Sequence, residues 1–526
     1  MQSLTRALKT HWRWIALVFI ALVPRLYLLN IFDVELSQDG FEAVRTLTIW
    51  QTHGINAIPR DLLDRFILHP LYMLLLAALK IFTPASVDFY FVARLFSSLI
   101  ACVAIVLMYE LMRRAFDEIA AWVAALLLAF APSFLWESVA ILSSTLFLAL
   151  YLAVLLALVE SRYRIAAFLA FLSAITRYEG VVLLALVFIS LLARPDRFAK
   201  PVRSKDWLVF AACALAFPLT LIVGGWLATG NALEFIGAQS MASVWLRFLA
   251  PGDFVQRGAF FITQYPALLP APIVWLGIAG AIIALVWHRT RATALLLLTS
   301  ALYLVFFEAL VWLNYTTLEV RFLMYPGLPL LIFAGVTLAK VQSTVNSRQS
   351  TVDSQQFNHA TRNTQHVSRF TSCVLLALLV VVLLALSYQQ GIAGMRFIYN
   401  MHASQREVAD ELVRILSAAE GPAHRQTNAM VYGGIAGALD LFARQRGLAL
   451  TFTYFRFAPD DNPEQYVIDN KIQFVIYPVG NAFAKAKYPY LAHFQTQIQR
   501  GVTFQPLTQF ATSLDNQLYS IWSVSY

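Results

Sequence analysis

Two carboxylates, Asp39 and Glu42, stand three residues apart in the stretch ELSQDGFEAVR, residues 35–45. On a helix that spacing puts them on one face. A carboxylate so placed can act as a general base, taking the proton from a hydroxyl or amine as it attacks. Further along come His69 and Tyr72 in HPLY, Arg94 at the head of a long apolar run, Arg177 and Glu179 in TRYEG, and Glu319 and Arg321 in TTLEVRFLMYP. A guanidinium offers several donors in one plane and fits the oxygens of a phosphate. One base with cationic phosphate clamps is a kit for group transfer from a phosphate-linked donor. His69, Tyr72, Glu179 and Glu319 are the accompanying candidates for holding substrate.

Each of these residues also has a structural role to fill. Asp39 follows Ser37 and precedes the apolar series Phe41, Val44, Leu47 and Ile49, so it suits the start of a helix. Glu42 suits the first turn of that helix, where the dipole favours an acid. His69-Pro70 suits another helix start. Arg25 and Arg94 suit snorkelling anchors at a membrane interface. Arg177 and Glu179 are two apart, so in a tight turn ending at Gly180 they can pair with each other. Glu319 and Arg321 have the same ambiguity. Spacing alone leaves both readings open.

The elements that must position these residues are membrane helices. The chain has 526 residues, of which 59% are hydrophobic and 13% charged. That composition does not cover a soluble surface, and several apolar runs approach the roughly 20 residues of a membrane-spanning helix. No cleavable leader is expected, because residues 14–29 lack a small-residue cleavage site and more spans follow. The net charge of +9 is not a nucleic-acid footprint, because the basic residues fall in short clusters between spans. They lie at Arg6/Lys9/Arg13, Arg113/Arg114, Arg162/Arg164, Arg194 to Lys205, Arg289/Arg291 and, more weakly, Arg348 to Arg369. Placing every cluster in the cytoplasm gives about eleven crossings, with the N-terminus inside and the C-terminus outside. Residues 31–90 form a large outer loop with two juxtamembrane helices near 39–52 and 69–83. Residues 165–193 form a short hairpin with TRYEG at its outer tip.

Residues 341–370 contain a near-perfect repeat, QSTVNSR then QSTVDSQ, and are expected to be a flexible cytoplasmic linker. Residues 371–390 are the last span. Residues 391–526 are expected to form a small extracytoplasmic α/β domain, with strands at NAMVYGG, IQFVIYP and QLYSIWSV and a helix at 435–447 ended by Gly447. The three cysteines, Cys102, Cys213 and Cys373, fall in apolar segments and form neither a disulfide framework nor a zinc spacing. On this topology the near-membrane charges gather on the outer side, among them Arg25, Asp39, Glu42, Arg94, Glu137, Arg177, Glu179, Glu308, Glu319 and Arg321.

The ordered motifs SQDGFEAVR, HPLY, ARLFSSLIACVAIVLMYELMRRAF, APSFLWESVAILSSTLF, AITRYEG and EVRFLMYPGLPLLIFAG resemble the lipid-phosphosugar glycosyltransferases of the GT-C fold. The nearest branch is the bacterial relatives of protein O-mannosyltransferase and the lipid A aminoarabinose transferase. The resemblance covers residues 10–340, a transmembrane catalytic module. It implies an inverting transfer of a hexose or pentose from a polyprenyl-phosphate donor to a protein, lipid or glycan acceptor, at the outer face of a bacterial inner membrane. Asp39 would be the base, with Glu42 as a second catalytic acid, and Arg177, Arg321 and Arg94 would hold the donor phosphate. In the family the residue after the aspartate is often acidic, whereas here it is Gly40. Many relatives also carry an acid in the second outer loop, where this chain has Ser143, Ser144 and Thr145. No cofactor is implied with certainty. A divalent metal would fit the resemblance, but no ligand spacing supports one. A second class, a transporter or flippase of lipid-linked saccharide, would place its working charges at mid-membrane and show repeated halves. A non-catalytic relative is the third.

Overall fold

The computed structural model describes residues 2–54, 58, 69–84, 86–193, 202–233, 269–287, 290–312, 324–353, 360–420, 426–431, 433–454, 463–479, 485 and 488–526. By its contacts the chain divides into two units. The first is Met1–Ile31 with Ile49–Ala393, and the second is Phe32–Thr48 with Gly394–Tyr526. A stretch from the first loop therefore belongs with the C-terminal part of the chain.

The helices of the first unit begin with α1 (Gln2–Ile31). After α2 (Gln38–His53), which the two units share, come α3 (Pro70–Phe82), α4 (Phe89–Ala115), α5 (Glu118–Ala129), α6 (Pro132–Val139), α7 (Ser143–Val159) and α8 (Tyr163–Thr176). One turn of 3-10 helix, Tyr178–Gly180, leads to α9 (Val181–Leu192). Then follow α10 (Ser204–Thr229), α11 (Ala271–Trp287), α12 (Arg291–Trp312), α13 (Met324–Asp353) and α14 (Ala360–Ala403), the last also shared. Among the described residues, six helices are long and apolar enough to cross a membrane, and α5 with α6 makes a seventh, bent by 60°. Shorter apolar helices, including α3, α7, α8 and α11, accompany them. The chain is a multi-pass membrane protein, and the exposed side chains along α1, α10 and α14, such as Phe19, Leu208 and Val381, are apolar.

Local chemistry sets the helix ends. Asp88 accepts from the Tyr90 amide (3.0 Å) at the start of α4, and Asp117 from the Ala120 amide (2.8 Å) at the start of α5, as N-caps do. Gly230, at φ +73°, ends α10 in the left-handed conformation. Where α11 meets α13, a Cβ at Gly277 or Gly280 would fall 2.5 Å or 1.8 Å from the carbonyl oxygens of Leu330 and Phe333. Only glycine admits that backbone approach, a recurrent device of membrane helix pairs.

The helices alternate in direction, and their ion pairs show it. At one end Arg13 meets Glu118 (2.8 Å), Arg113 meets Glu110 (2.8 Å), Arg114 and Arg162 share Glu160, and Arg164 meets Asp206 (2.7 Å). These gather the C-terminal ends of α4 and α7 and the N-terminal ends of α5, α8 and α10 on one side, with Arg13 of α1 beside them. At the same end Arg291 donates to Ser161 Oγ (2.9 Å) and to the Tyr163 hydroxyl (2.8 Å).

The opposite end carries the break between α5 and α6. Pro132 opens α6 and has no amide to donate. The carbonyls released there need donors, because the bilayer supplies none. Arg25, fully buried on α1, provides them: Nη2 donates to Ala129 O (3.1 Å), Nε to Ser138 Oγ (2.8 Å) and Nη1 to Ala21 O (2.8 Å). Arg94 on α4 does the same at the far end of α6, Nε donating to Val139 O (2.8 Å), while Ser98 donates to Ser138 O (2.9 Å).

Among the described residues, the second unit is built on a six-stranded sheet of order β2-β1-β3-β6-β5-β4. After α15 (Gln405–Glu420) come β1 (Gln426–Val431), α16 (Gly433–Gln445), β2 (Ala449–Tyr454), α17 (Pro463–Asp469), β3 (Phe474–Pro478), β4 (Gln497–Gln499), β5 (Val502–Ala511) and β6 (Leu518–Ser525). The β2-β1-β3 side is parallel and the β3-β6-β5-β4 side antiparallel. The β5–β6 register shifts between Pro506 and Thr508, where the proline cannot donate to the ladder. Met430, Val475, Tyr477, Phe504 and Trp522 are fully buried in its core.

Replacing Arg25 with Met removes three donors from a buried polar junction and is expected to cost about 2–4 kcal/mol. Thermal melting of the purified protein in detergent measures it. Lys at this position is expected to recover little, because an ammonium cannot span the three acceptors.

Candidate functional site

In the first unit the polar groups opposite the ion-paired end gather around the junction of α6, α7 and the α8–α9 turn. Arg177 leaves α8 at its C-terminal end, and the turn to Gly180 brings Glu179 back onto it. Its Nη2 donates to Glu179 Oε1 at 2.6 Å, and Nε donates to both carboxylate oxygens at 3.2 Å. Both side chains are nearly or fully buried. In so dry a site each charge depends on the other. Arg177 Nη1 reaches Ser143 Oγ at the start of α7 (3.3 Å). The turn can be this tight because residue 180 is glycine: a Cβ there would sit 2.3 Å from the Ala174 amide nitrogen.

His69 precedes α3, and its Nδ1 donates to the carbonyl of Thr176, the residue before Arg177 (3.0 Å). Tyr72 is buried on α3. Glu137 is buried on α6, and Thr145 Oγ1 donates to its carbonyl (2.9 Å). Behind the ion pair lies a ring of aromatic residues. Phe147 packs edge-on against Tyr325 at 4.8 Å, and Tyr303 stacks near Tyr151, Tyr325 and Phe307 at 5.5–6.2 Å. The Tyr303 hydroxyl is fully buried and has no hydrogen-bond partner among the described residues.

The first-loop carboxylates belong to the second unit. Asp39 lies in the first turn of α2, half-buried, and Glu42 is buried one turn on. Gln38 links this turn to α16: its Nε2 donates to Glu42 Oε1 (3.1 Å), and its Oε1 accepts from the Gly437 amide (3.4 Å). A Cβ on Gly437 would fall 2.2 Å from Cβ of Phe41, so α2 and α16 approach as closely as backbone permits. Arg45 faces Asp440 on α16, which also takes Arg444. Ahead of the helix, the buried His402 donates from Nδ1 to the carbonyl of Glu35 (2.8 Å) and meets the edge of Phe41. Asp33 accepts from Arg406 (2.8 Å) and from the Tyr399 hydroxyl (2.9 Å).

The structure thus brings Arg177, Glu179 and Ser143 together, with His69 joined to the same turn through Thr176. Arg94 is committed at Nε to the Val139 carbonyl. Glu319 and Arg321 lie outside the described residues. Among the described residues, no group of three or more His, Cys, Asp or Glu could hold a metal ion.

Glu35 was missed by spacing arguments. It is buried, and its Cγ, Cδ and Oε1 lie 3.0, 2.8 and 2.6 Å from where a Cβ would stand on Gly40. Glycine after Asp39 is therefore the imprint of a second side chain folded across the helix start. The signal was present in the sequence as an acid four residues before Asp39. The tyrosine ring was also missed, because its members come from α7, α12 and α13.

No family model matches the sequence, and no curated protein matches it by sequence. Solved structures do match. The Archaeoglobus fulgidus oligosaccharyltransferase superimposes with a TM-score of 0.57 at 13% identity, covering 93% of this chain and 73% of that one. ArnT from Cupriavidus metallidurans, bound to undecaprenyl phosphate, gives 0.55 at 15% identity and covers 98% of both chains. The mycobacterial arabinofuranosyltransferase AftD gives 0.50 at 13% identity, covering 98% of this chain and 40% of that one. This chain has the GT-C fold.

Two outcomes follow. Gly40→Ala is expected to lower stability by about 1 kcal/mol through its clash with Glu35, and to cost nothing in a Glu35→Ala background. A double-mutant cycle by thermal melting reads that coupling. Partial burial works against the charge of Asp33, but hydrogen bonds from Arg406 and Tyr399 outweigh it and hold its carboxyl below the ordinary 3.8; Arg446 lowers Asp410 in the same way. A depressed folded-state value contributes stability that is present above the unfolded value and lost as pH falls through the folded one. Melting temperature is therefore expected to fall below about pH 4, and Asp33→Asn with Asp410→Asn to flatten that fall. The effect is small, because both carboxylates are largely exposed.

Proposed function

We propose that this chain is a membrane glycosyltransferase that moves a sugar, a hexose or a pentose, from a polyprenyl-phosphate donor to a protein, lipid or glycan acceptor. The observation that carries the proposal is the end-to-end likeness to ArnT, a protein solved with undecaprenyl phosphate bound. The archaeal oligosaccharyltransferase, solved with a tethered acceptor peptide at a TM-score of 0.52, supports the acceptor side. In this proposal the reaction runs at the outer face of a bacterial inner membrane. Support comes from the ion-paired basic residues Arg13, Arg113, Arg114, Arg162 and Arg164, which lie at the helix ends opposite Arg177, in keeping with the basic bias of cytoplasmic ends.

The chemistry is a single displacement with inversion. Asp39 takes the proton from the acceptor hydroxyl or amine. The acceptor atom bonds to the anomeric carbon, and the bond from that carbon to the phosphate oxygen breaks. The polyprenyl phosphate leaves with the electron pair. Arginines stabilise the developing charge, Arg177 first among them, with Arg94 and Arg321 as further candidates. Glu42, held by a hydrogen bond from Gln38, is the second catalytic acid of the proposal. His69 holds the turn that carries Arg177. With Tyr72, Glu179 and Glu319 it completes the proposed substrate-binding set.

The test is Asp39→Asn assayed for sugar transfer in native membranes. A base of this kind contributes about 10²–10⁴-fold, so transfer is expected to fall by that factor while melting temperature holds. Wild-type transfer by Asp39→Asn would exclude Asp39 as the base.

A further inference from the structure

The start of α7 contains a set of donors that the reading above does not use. The helix has seventeen residues and begins Ser143-Ser144-Thr145 after Leu142, with no side-chain cap. The first amides of a helix have no partner within it and form the positive end of its dipole. The side chains around them are assigned unequally. Ser143 Oγ accepts from Arg177 Nη1, and Thr145 Oγ1 donates back to the Glu137 carbonyl. Ser144 is 2% exposed, and its hydroxyl has no hydrogen-bond partner among the described residues. A buried hydroxyl left in this state is costly, and it stands in the turn where the helix amides are open.

We infer that the N-terminus of α7 is an anion subsite in which the amides of residues 143–145 and the Ser144 hydroxyl hold a phosphate group beside Arg177. Glu179 already balances the Arg177 charge, so the helix end and the hydroxyl supply the attraction that the guanidinium alone does not. Several converging donors suit an ion with several acceptor oxygens. A phosphate ester meets that requirement, and this assignment rests on the proposed lipid-phosphate donor.

The experiment is equilibrium binding of undecaprenyl phosphate to the full-length protein in detergent, with inorganic phosphate as competitor, for wild type and Ser144→Ala. The variant is expected to bind the lipid roughly tenfold more weakly, as for one lost hydrogen bond to a charged group. Its ligand-free melting temperature is expected to be equal or higher, because it loses an unpartnered buried hydroxyl. Competition by inorganic phosphate that weakens in parallel assigns the bare phosphate as sufficient; competition by the lipid alone assigns the headgroup in its lipid context. Both support the subsite. Unchanged lipid binding in Ser144→Ala overturns it, as does a lower ligand-free melting temperature, which would make the hydroxyl structural. Failure of the wild type itself to bind the lipid would instead overturn the donor assignment.

Discussion

The first unit depends on how a membrane helix can be broken. Pro132 stops α5 from continuing into α6, and inside a bilayer the released carbonyls have no water to turn to. Arg25 and Arg94 answer this from two neighbouring helices, with guanidinium forks placed on Ala129, Ser138 and Val139. The cost of burying two guanidinium groups is met by fixed hydrogen bonds to backbone and hydroxyl oxygens. The bend of 60° then sets where α7 begins, and so where Ser143 meets Arg177.

The same logic separates two kinds of arginine. Arg25 is consumed by structure, with its Nε, Nη1 and Nη2 each held by a neutral acceptor. Arg177 is held by a carboxylate two residues away and extends its remaining nitrogen toward a helix start. The second unit holds its first-loop helix by close approach. Gly437 lets α16 come against Phe41, and Gly40 lets Glu35 lie across the turn that carries Asp39. The turn is then held from outside by the Gly437 amide, through Gln38, and by His402.

Much of this was legible in the sequence where the signal is local. The flanking basic clusters marked the α8–α9 hairpin, and glycine marked its turn at TRYEG and the end of α16 before Gly447. The strands at NAMVYGG, IQFVIYP and QLYSIWSV are β1, β3 and β6. The apolar run at 119–136 was legible as a span but not as a broken one, because Pro132 is tolerated in membrane helices and only the partners of the freed carbonyls distinguish the two cases. The grouping of residues 32–48 with 394–526 was not legible at all, since it joins segments more than 340 positions apart and no periodicity reports such a contact. Nor was the role of Gly40: an absent side chain shows its meaning only when the neighbour that fills its place is seen.

The central claim is chemical, that a sugar is cut from a polyprenyl phosphate and joined to an acceptor with inversion. The most direct measurement is on the purified chain in lipid nanodiscs, supplied with a polyprenyl-phosphate sugar labelled at its anomeric carbon and an acceptor fraction from the cell envelope. Nuclear magnetic resonance of the labelled carbon then follows the bond. The account predicts release of free polyprenyl phosphate in step with a product whose anomeric configuration is opposite to that of the donor. Retention of configuration, or movement of intact donor across a vesicle membrane without bond cleavage, would contradict it.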